Sequence, residues 1–479
     1  MFIGRAAELK YLEERYNSDR AELIVLYGRR RIGKTELLRQ FAADKNALFY
    51  ACTECTDEEQ RRRFSKRLLN MDIPAARYTN SFADWELAFR AMADIPATGK
   101  KIVILDEFPY MANGNPSIPS ILQNLWDEFL QHENIMLILC GSSLSFMEKE
   151  LLAEKNPLYG RATGIYKLEP LSFAETRKFF PRSSLEEQII YYAILGGIPH
   201  YLCQFKPDLS PKENIENGIL SRGSVLYSEV EFLLHQELRE TAVYNVIIEA
   251  VAQGATTLNE IHERTQLESV KIQAYLRNLM ELDVINREFS VLAKEKEKTL
   301  RGRGLYKIVD PYFRFWYAFI YSNASEISFG NSQNVYKYII EPQLPEFVAP
   351  VFENVCIEAL RLMNKRGELP FYFSKIGRWW DKVTHNVDGK KKTVAEEIDI
   401  AAIDSLGKNY LLGECKYRRG KANLSVLTSL KQKFPYNIYS GNFYYAIFSL
   451  FGIEENLQNA ADGNVLLFDG ADLDRILDE

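Results

Sequence analysis

LIVLYGRRRIGKT, residues Leu23 to Thr35, is an apolar run that stops at Gly28 and is followed five residues later by Gly33-Lys34-Thr35. The run has strand length and the ELLRQFAA after it has helix-forming composition, so the stretch reads strand, glycine-bounded loop, helix. GxxxxGK[ST] in that setting is a phosphate-binding loop. The glycines let the backbone N–H groups of Arg29, Arg30, Arg31 and Ile32 close around phosphate oxygens. Lys34 would reach the β and γ phosphates of ATP, Thr35 would ligate Mg²⁺ through its hydroxyl, and the helix would turn its positive dipole end to the anion.

The 479 residues are enough for about three domains, and 47% hydrophobic content is ordinary for globular protein. A net charge of −6 and a pI near 5.7 give no global reason to expect nucleic acid, so such a partner must be argued from local patches. Six scattered cysteines form no disulfide framework, and no charged-then-apolar leader stands at Met1, so a cytoplasmic setting is expected. The longest apolar runs, 443–453 and 189–198, are too short to span a bilayer.

FIGRAAELKYLEERY reads as a short approach and a helix; Phe2 and Ile3 would either flank an adenine ring or simply pack. Cys52 and Cys55 end a second strand, but no second ligand pair lies nearby to make a zinc site. KIVILDEF, from Lys101, is a strand covered on both faces that ends in Asp106-Glu107. Asp106 would hold the Mg²⁺ shell and Glu107 would polarise the attacking water. IMLILCGSS, from Ile135, is another buried strand; Ser142 or Ser143 would sense the γ-phosphate or position water, or else cap the next helix.

GRRRIGKT, ILDEF, CGSS, PLYGRATGIYKLEPLSFAE and LGGIPHYL together resemble a prokaryotic, archaeal-type branch of AAA-type ATPases close to the signal-transducing STAND class. The resemblance covers about residues 1–220. It implies a central phosphate-loop strand beside the acidic strand, followed by a helical lid. It also implies that Arg161 is an arginine finger, supplied by a neighbouring copy in a homo-oligomer, and that Gly197 to Pro199 approach the nucleotide. An ordinary surface arginine is the alternative for Arg161.

TTLNEIHERTQLESVKIQAYLRNLMELDVINRE reads as two short helices and the start of a β-wing, with Leu258, Ile261, Leu267, Val270, Ile272, Leu276, Leu279 and Met280 as its apolar positions. Lys271, Gln273 and Arg277 would face outward from the second helix. From Arg287 to Lys307 there are seven basic residues (Arg287, Lys294, Lys296, Lys298, Arg301, Arg303, Lys307) against Glu288, Glu295 and Glu297, a local charge of +4. Such a wing suits DNA phosphates; a solvated hairpin is the alternative. The aromatic DPYFRFWYAFIYSN that follows reads as core.

In the last segment Glu353 lies on an apolar-periodic helix, Asp399 in the strand EEIDIAAID, and Glu414 and Lys416 in the strand YLLGECKY. Glu414 and Lys416, two apart, share a strand face. Carboxylates on adjacent strands can share Mg²⁺ or Mn²⁺, which would activate a water, while Lys416 would orient that water or stabilise charge. Order and spacing resemble the PD-(D/E)xK nuclease superfamily, with Ile398 in place of its proline. The expected ligands there are Glu353, Asp399 and Glu414. An ion pair between Glu414 and Lys416 is the alternative.

The expected architecture is α/β: a P-loop NTPase core with a central parallel sheet (1–170), a helical lid (171–228), a winged helix (229–310), an aromatic junction (311–342) and a restriction-endonuclease-like domain (343–479). The expected function is ATP hydrolysis coupled to DNA binding and metal-dependent DNA cleavage. Its rival is a nucleotide-dependent regulatory switch whose last domain only binds.

Overall fold

The computed structural model describes residues 2–154, 156–238, 240–298, 304–387 and 390–478. They fall into two compact units, Met1–Leu171 with Ile198–His200, and Ser172–Gly197 with Tyr201–Glu479. Residues 172–197 and 201–228, expected as a separate lid, thus belong to the second unit.

The first unit is built on a sheet of β1 (Glu22–Tyr27), β2 (Ala47–Ala51), β3 (Lys101–Asp106), β4 (Ile135–Gly141) and β5 (Gly164–Lys167), in the order β2-β3-β4-β1-β5. Every pairing is parallel. All residues of β1 and β4 are buried, which is why both read as unbroken apolar runs rather than as alternating ones. Helices cover the faces; the Lys34–Ala42 helix, for instance, buries Leu37, Leu38 and Phe41. One expectation is corrected: the acidic strand β3 is not beside β1, because β4 lies between them. The carboxyl end of β4 therefore enters the site.

The second unit holds two further sheets. β6 (Ile285–Glu288) and β7 (Leu305–Ile308) form an antiparallel hairpin behind the helices Leu258–Thr265 and Ser269–Glu281. Thr257 starts the first helix: its side chain accepts from the Glu260 N–H while its own N–H donates to the Glu260 carboxylate. Ile261, Ile272, Leu276 and Leu279 are buried there, but Val270 is 79% exposed and is no core position. The aromatic stretch is core as read, with Tyr312, Phe313, Phe315, Trp316, Tyr317 and Phe319 all buried.

The last sheet comprises β8 (Lys375–Val387), β9 (Lys390–Ile403), β10 (Asn409–Lys416), β11 (Asn442–Ser449) and β12 (Val465–Asp469), in the order β12-β11-β10-β9-β8. β8, β9 and β10 are antiparallel neighbours, whereas β10, β11 and β12 run parallel. The Leu424–Lys433 helix makes the crossover from β10 to β11. Parallel strands require such a crossover, and it returns the helix over the sheet. Val426, Leu427 and Leu430 of that helix join Ile398, Leu412 and Ile447 in one apolar core.

Candidate nucleotide site and a second charged site

Gly28 must be glycine because an added Cβ would lie 2.6 Å from the Leu168 carbonyl oxygen. Gly33 takes a φ of 93° as it leads into the Lys34–Ala42 helix, which a side chain would strain. Arg31 is also left-handed, at φ 67°. Arg5 braces this loop: its buried guanidinium donates to the carbonyls of Ile32 at 3.0 Å and Glu169 at 2.7 Å. Lys34 is buried and donates to the carbonyls of Gly28 at 2.9 Å and Arg29 at 2.8 Å. Burial lowers its pKa, against the pull of Cys140, Glu107 and Asp106.

Across the sheet ends the Thr35 hydroxyl donates to Asp106 at 2.7 Å, although β3 and β1 are not neighbours. A hydroxyl beside a carboxylate is a hard-oxygen donor set that fits Mg²⁺. Asp106 also accepts from the Glu107 N–H at 3.1 Å. Glu107 itself sits at φ 52°, a conformation uncommon for a side-chain-bearing residue. That bend turns its carboxylate toward β4, where the Ser142 hydroxyl and N–H both donate to it, at 2.8 and 3.1 Å. The two serines thereby divide the roles left open between them. Ser142 contacts Glu107, and Ser143 caps the helix that follows by accepting from the Phe146 N–H.

Two further residues reach this unit's loop or flank. Pro199 lies 3.6 Å from where a Cβ of Gly33 would stand, and His200 meets Arg31 at 2.5 Å through Nε2. Burial, then the Arg31 charge, lowers the His200 pKa. Arg161, the expected finger, instead forms a two-pronged pair with Asp127 of its own chain, at 3.2 and 2.9 Å.

The second charged site lies on β9 and β10. Lys416 donates to Glu414 Oε1 at 2.7 Å, as residues two apart on one strand face permit. Lys433, from the crossover helix, donates to both Glu414 oxygens, at 3.2 and 2.9 Å. Asp399 accepts from the Cys415 N–H at 2.8 Å. Burial, then the Glu414 charge, pushes its pKa up to about 6. Glu353 is pushed up to about 8 by burial and then by Asp399; Arg378 stands 3.8 Å away. The four expected residues are thus brought together. Their oxygens are hard donors suited to Mg²⁺ or Mn²⁺, but both Glu414 oxygens already accept from ammonium groups, so the arrangement as it stands does not fit a metal.

Residues 2–205 match a family described as an ATPase domain predominantly from Archaea, and residues 316–427 match archaeal and bacterial proteins of unknown function. An uncharacterized protein of Methanocaldococcus jannaschii is 33% identical over 472 residues, which are 98% of this chain and 99% of that one. The chain belongs to this archaeal-type ATPase family. An uncharacterized ATP-binding protein of the same organism is 51% identical over 45 residues, 9% of this chain and 76% of that one. A solved Walker-type ATPase of Pyrococcus abyssi is similar with a TM-score of 0.49 and 21% identity, over 66% of this chain and 96% of that one. The archaeal-type ATPase binds and hydrolyses ATP.

In this ATPase Lys271, Gln273 and Arg277 are exposed along the Ser269–Glu281 helix, as read from the sequence. Some of the basic residues between Arg287 and Lys307 are paired with the acids counted beside them. Lys307 pairs with Glu288 at 3.0 Å, Lys298 pairs with Glu295 at 2.7 Å, and Arg287 stacks over Phe289. Beyond β6 the chain joins the last sheet, where the Val291 N–H donates to the Arg378 carbonyl at 2.9 Å and Arg378 pairs with Glu288. Lys294 and Lys296 are exposed, and Arg301 and Arg303 lie outside the described residues. Arg5, His200, Arg378 and Lys433 escaped the sequence reading. Each acts across 19 residues or more, so no local spacing signals them. Among the described residues no helix is long and apolar enough to cross a membrane.

Proposed function

We propose that this ATPase couples its nucleotide state to DNA binding. Lys34 contacts the β and γ phosphates of ATP, and Thr35 with Asp106 would hold Mg²⁺, which would neutralise charge on the phosphates. Glu107, fixed by Ser142, orients and polarises the water that attacks the γ-phosphate. The DNA surface is the winged helix: Lys271, Gln273 and Arg277 face a groove, and Lys294 and Lys296 face the backbone. The exposed polar row on a helix whose other face is core carries the DNA reading.

A mechanical route supports the coupling. Glu358 on the Glu341–Arg366 helix accepts from the N–H groups of Phe173 and Ala174, both at 2.9 Å, and Arg177 pairs with Asp474 and, at 3.0 Å, with Asp478. The expected lid helices are therefore clasped to the last domain. Ile198–His200, from the same stretch of chain, group instead with the nucleotide unit. A nucleotide-driven shift of 198–200 has a covalent path to the clasped helices.

The test is duplex DNA affinity against salt, with ATP and with ADP. Lys294 and Lys296 replaced together by alanine should lower the slope of log affinity against log salt by up to about 0.9 per lost contact. An affinity that ignores both nucleotide and salt would defeat the reading. For the last domain a binding role is favoured over metal-dependent cleavage by one observation, the two lysines on Glu414.

A further inference from the structure

We propose that Lys433 is an internal cation that replaces the divalent metal of the β9–β10 site, closing it to metal. The inference rests on reading this domain as restriction-endonuclease-like. Asp399 and Glu414 bring two negative charges, and the ammonium groups of Lys416 and Lys433 bring two positive ones, so the set is balanced as it stands. The two lysines are not equivalent. Lys416 reaches one Glu414 oxygen from the same strand, whereas Lys433 arrives from a different element and spans both oxygens. A cation shared by Asp399 and Glu414 would need at least one Glu414 oxygen, and each is within 3.2 Å of the Lys433 ammonium. Glu414 is buried, and both lysines are about three-quarters buried, so solvent screens the arrangement weakly. Removing Lys433 leaves one oxygen clear, with Lys416 still on the other; removing Lys416 leaves both oxygens occupied.

The experiment is Mn²⁺ titration of the full-length, nucleotide-free chain, followed by electron paramagnetic resonance of free Mn²⁺. Each protein is compared with its Asp399→Asn counterpart, so that Mn²⁺ held elsewhere cancels. The wild type should show no difference. Lys433→Met should gain a site that Asp399→Asn removes, with affinity raised roughly tenfold or more over any wild-type value. Lys433→Arg, which keeps the charge, should behave as wild type, and Lys416→Met should gain less than Lys433→Met. Thermal melts establish that each variant is folded. A wild-type Asp399-dependent site no weaker than that of Lys433→Met overturns the proposal, as does a folded Lys433→Met that gains none. The salt and nucleotide dependence of DNA binding is read separately, so the coupling reading stands or falls on its own.

Discussion

The amino-terminal and carboxyl-terminal sites each combine lysine with two carboxylates, and they differ in what the lysine touches. Lys34 donates only to backbone carbonyls of its own loop, while Asp106 and Glu107 accept from Thr35, Ser142 and backbone N–H groups. Neutral donors hold those charges in place without cancelling them. At the second site Lys416 and Lys433 sit directly on Glu414. Charges kept apart remain available to a phosphate or a cation, whereas charges paired with one another are available to neither. The same residue types therefore make a reactive arrangement in one place and a self-satisfied one in the other.

The largest effect should come from breaking the first arrangement. Lys34→Ala is expected to lower ATP turnover by about a hundredfold or more, as loss of one preorganised charge donor does. Glu107→Gln should keep nucleotide binding, measured by fluorescent-nucleotide titration, and lose a similar factor in phosphate release. Wild-type turnover in Glu107→Gln would remove Glu107 from its proposed role.

Stability sharpens the contrast next. Glu414→Gln strips two largely buried ammonium groups of their shared partner and should cost about 2 kcal/mol, a buried-pair penalty reduced for their partial exposure. Asp106→Asn should cost less, because its partners are a hydroxyl and an N–H group. Urea unfolding of the full chain compares the two; an equal loss would mean that the pairing at Glu414 has no special weight.

These differences bear on what the sequence could disclose. The amino-terminal site was legible because its chemistry lies in contiguous motifs: GRRRIGKT, then DE at a strand end, each within a few residues. Strand order was not legible, since nothing in the β4 sequence says that it inserts between β1 and β3. The β9–β10 hairpin and the shared face of Glu414 and Lys416 followed from period-two alternation. Lys433 did not, because a crossover helix carries it back and its partner is 19 residues earlier. The pairing of Lys307 with Glu288 was not legible either, because it depends on the register of β6 against β7, whereas Lys298 and Glu295 are three residues apart on one helix.

A third effect depends on pH. Burial and the neighbouring Asp399 raise the Glu353 pKa from an ordinary 4.5 to about 8. A carboxyl whose folded value exceeds its unfolded value stabilises fully below the unfolded value, and that stability is lost as pH rises through the folded one. Asp399, raised to about 6, acts in the same direction. The melting temperature of the second unit should therefore fall between pH 5 and 8, and Glu353→Gln should flatten the fall. An unchanged slope would place the Glu353 carboxyl in a more solvated setting than its burial implies.

The smallest expected effect concerns Arg161, and it tests whether the first site is complete within one chain. The resemblance to AAA-type ATPases implied a finger acting on a neighbouring copy's nucleotide. In the structure both prongs of the guanidinium are on Asp127 of the Ile118–Glu128 helix, an exposed pair whose loss should matter little to folding. To serve as a finger, Arg161 would have to exchange that carboxylate for a phosphate, so its contribution should appear only where copies meet. Arg161→Ala is accordingly expected to leave turnover within about twofold of wild type in dilute solution, the size of change that loss of an exposed ion pair brings. A mixture of Arg161→Ala and Lys34→Ala proteins should be no more active than the sum of its parts. Turnover that instead recovers on mixing, and rises with total protein concentration, would return Arg161 to the catalytic set and make the nucleotide site one shared between copies.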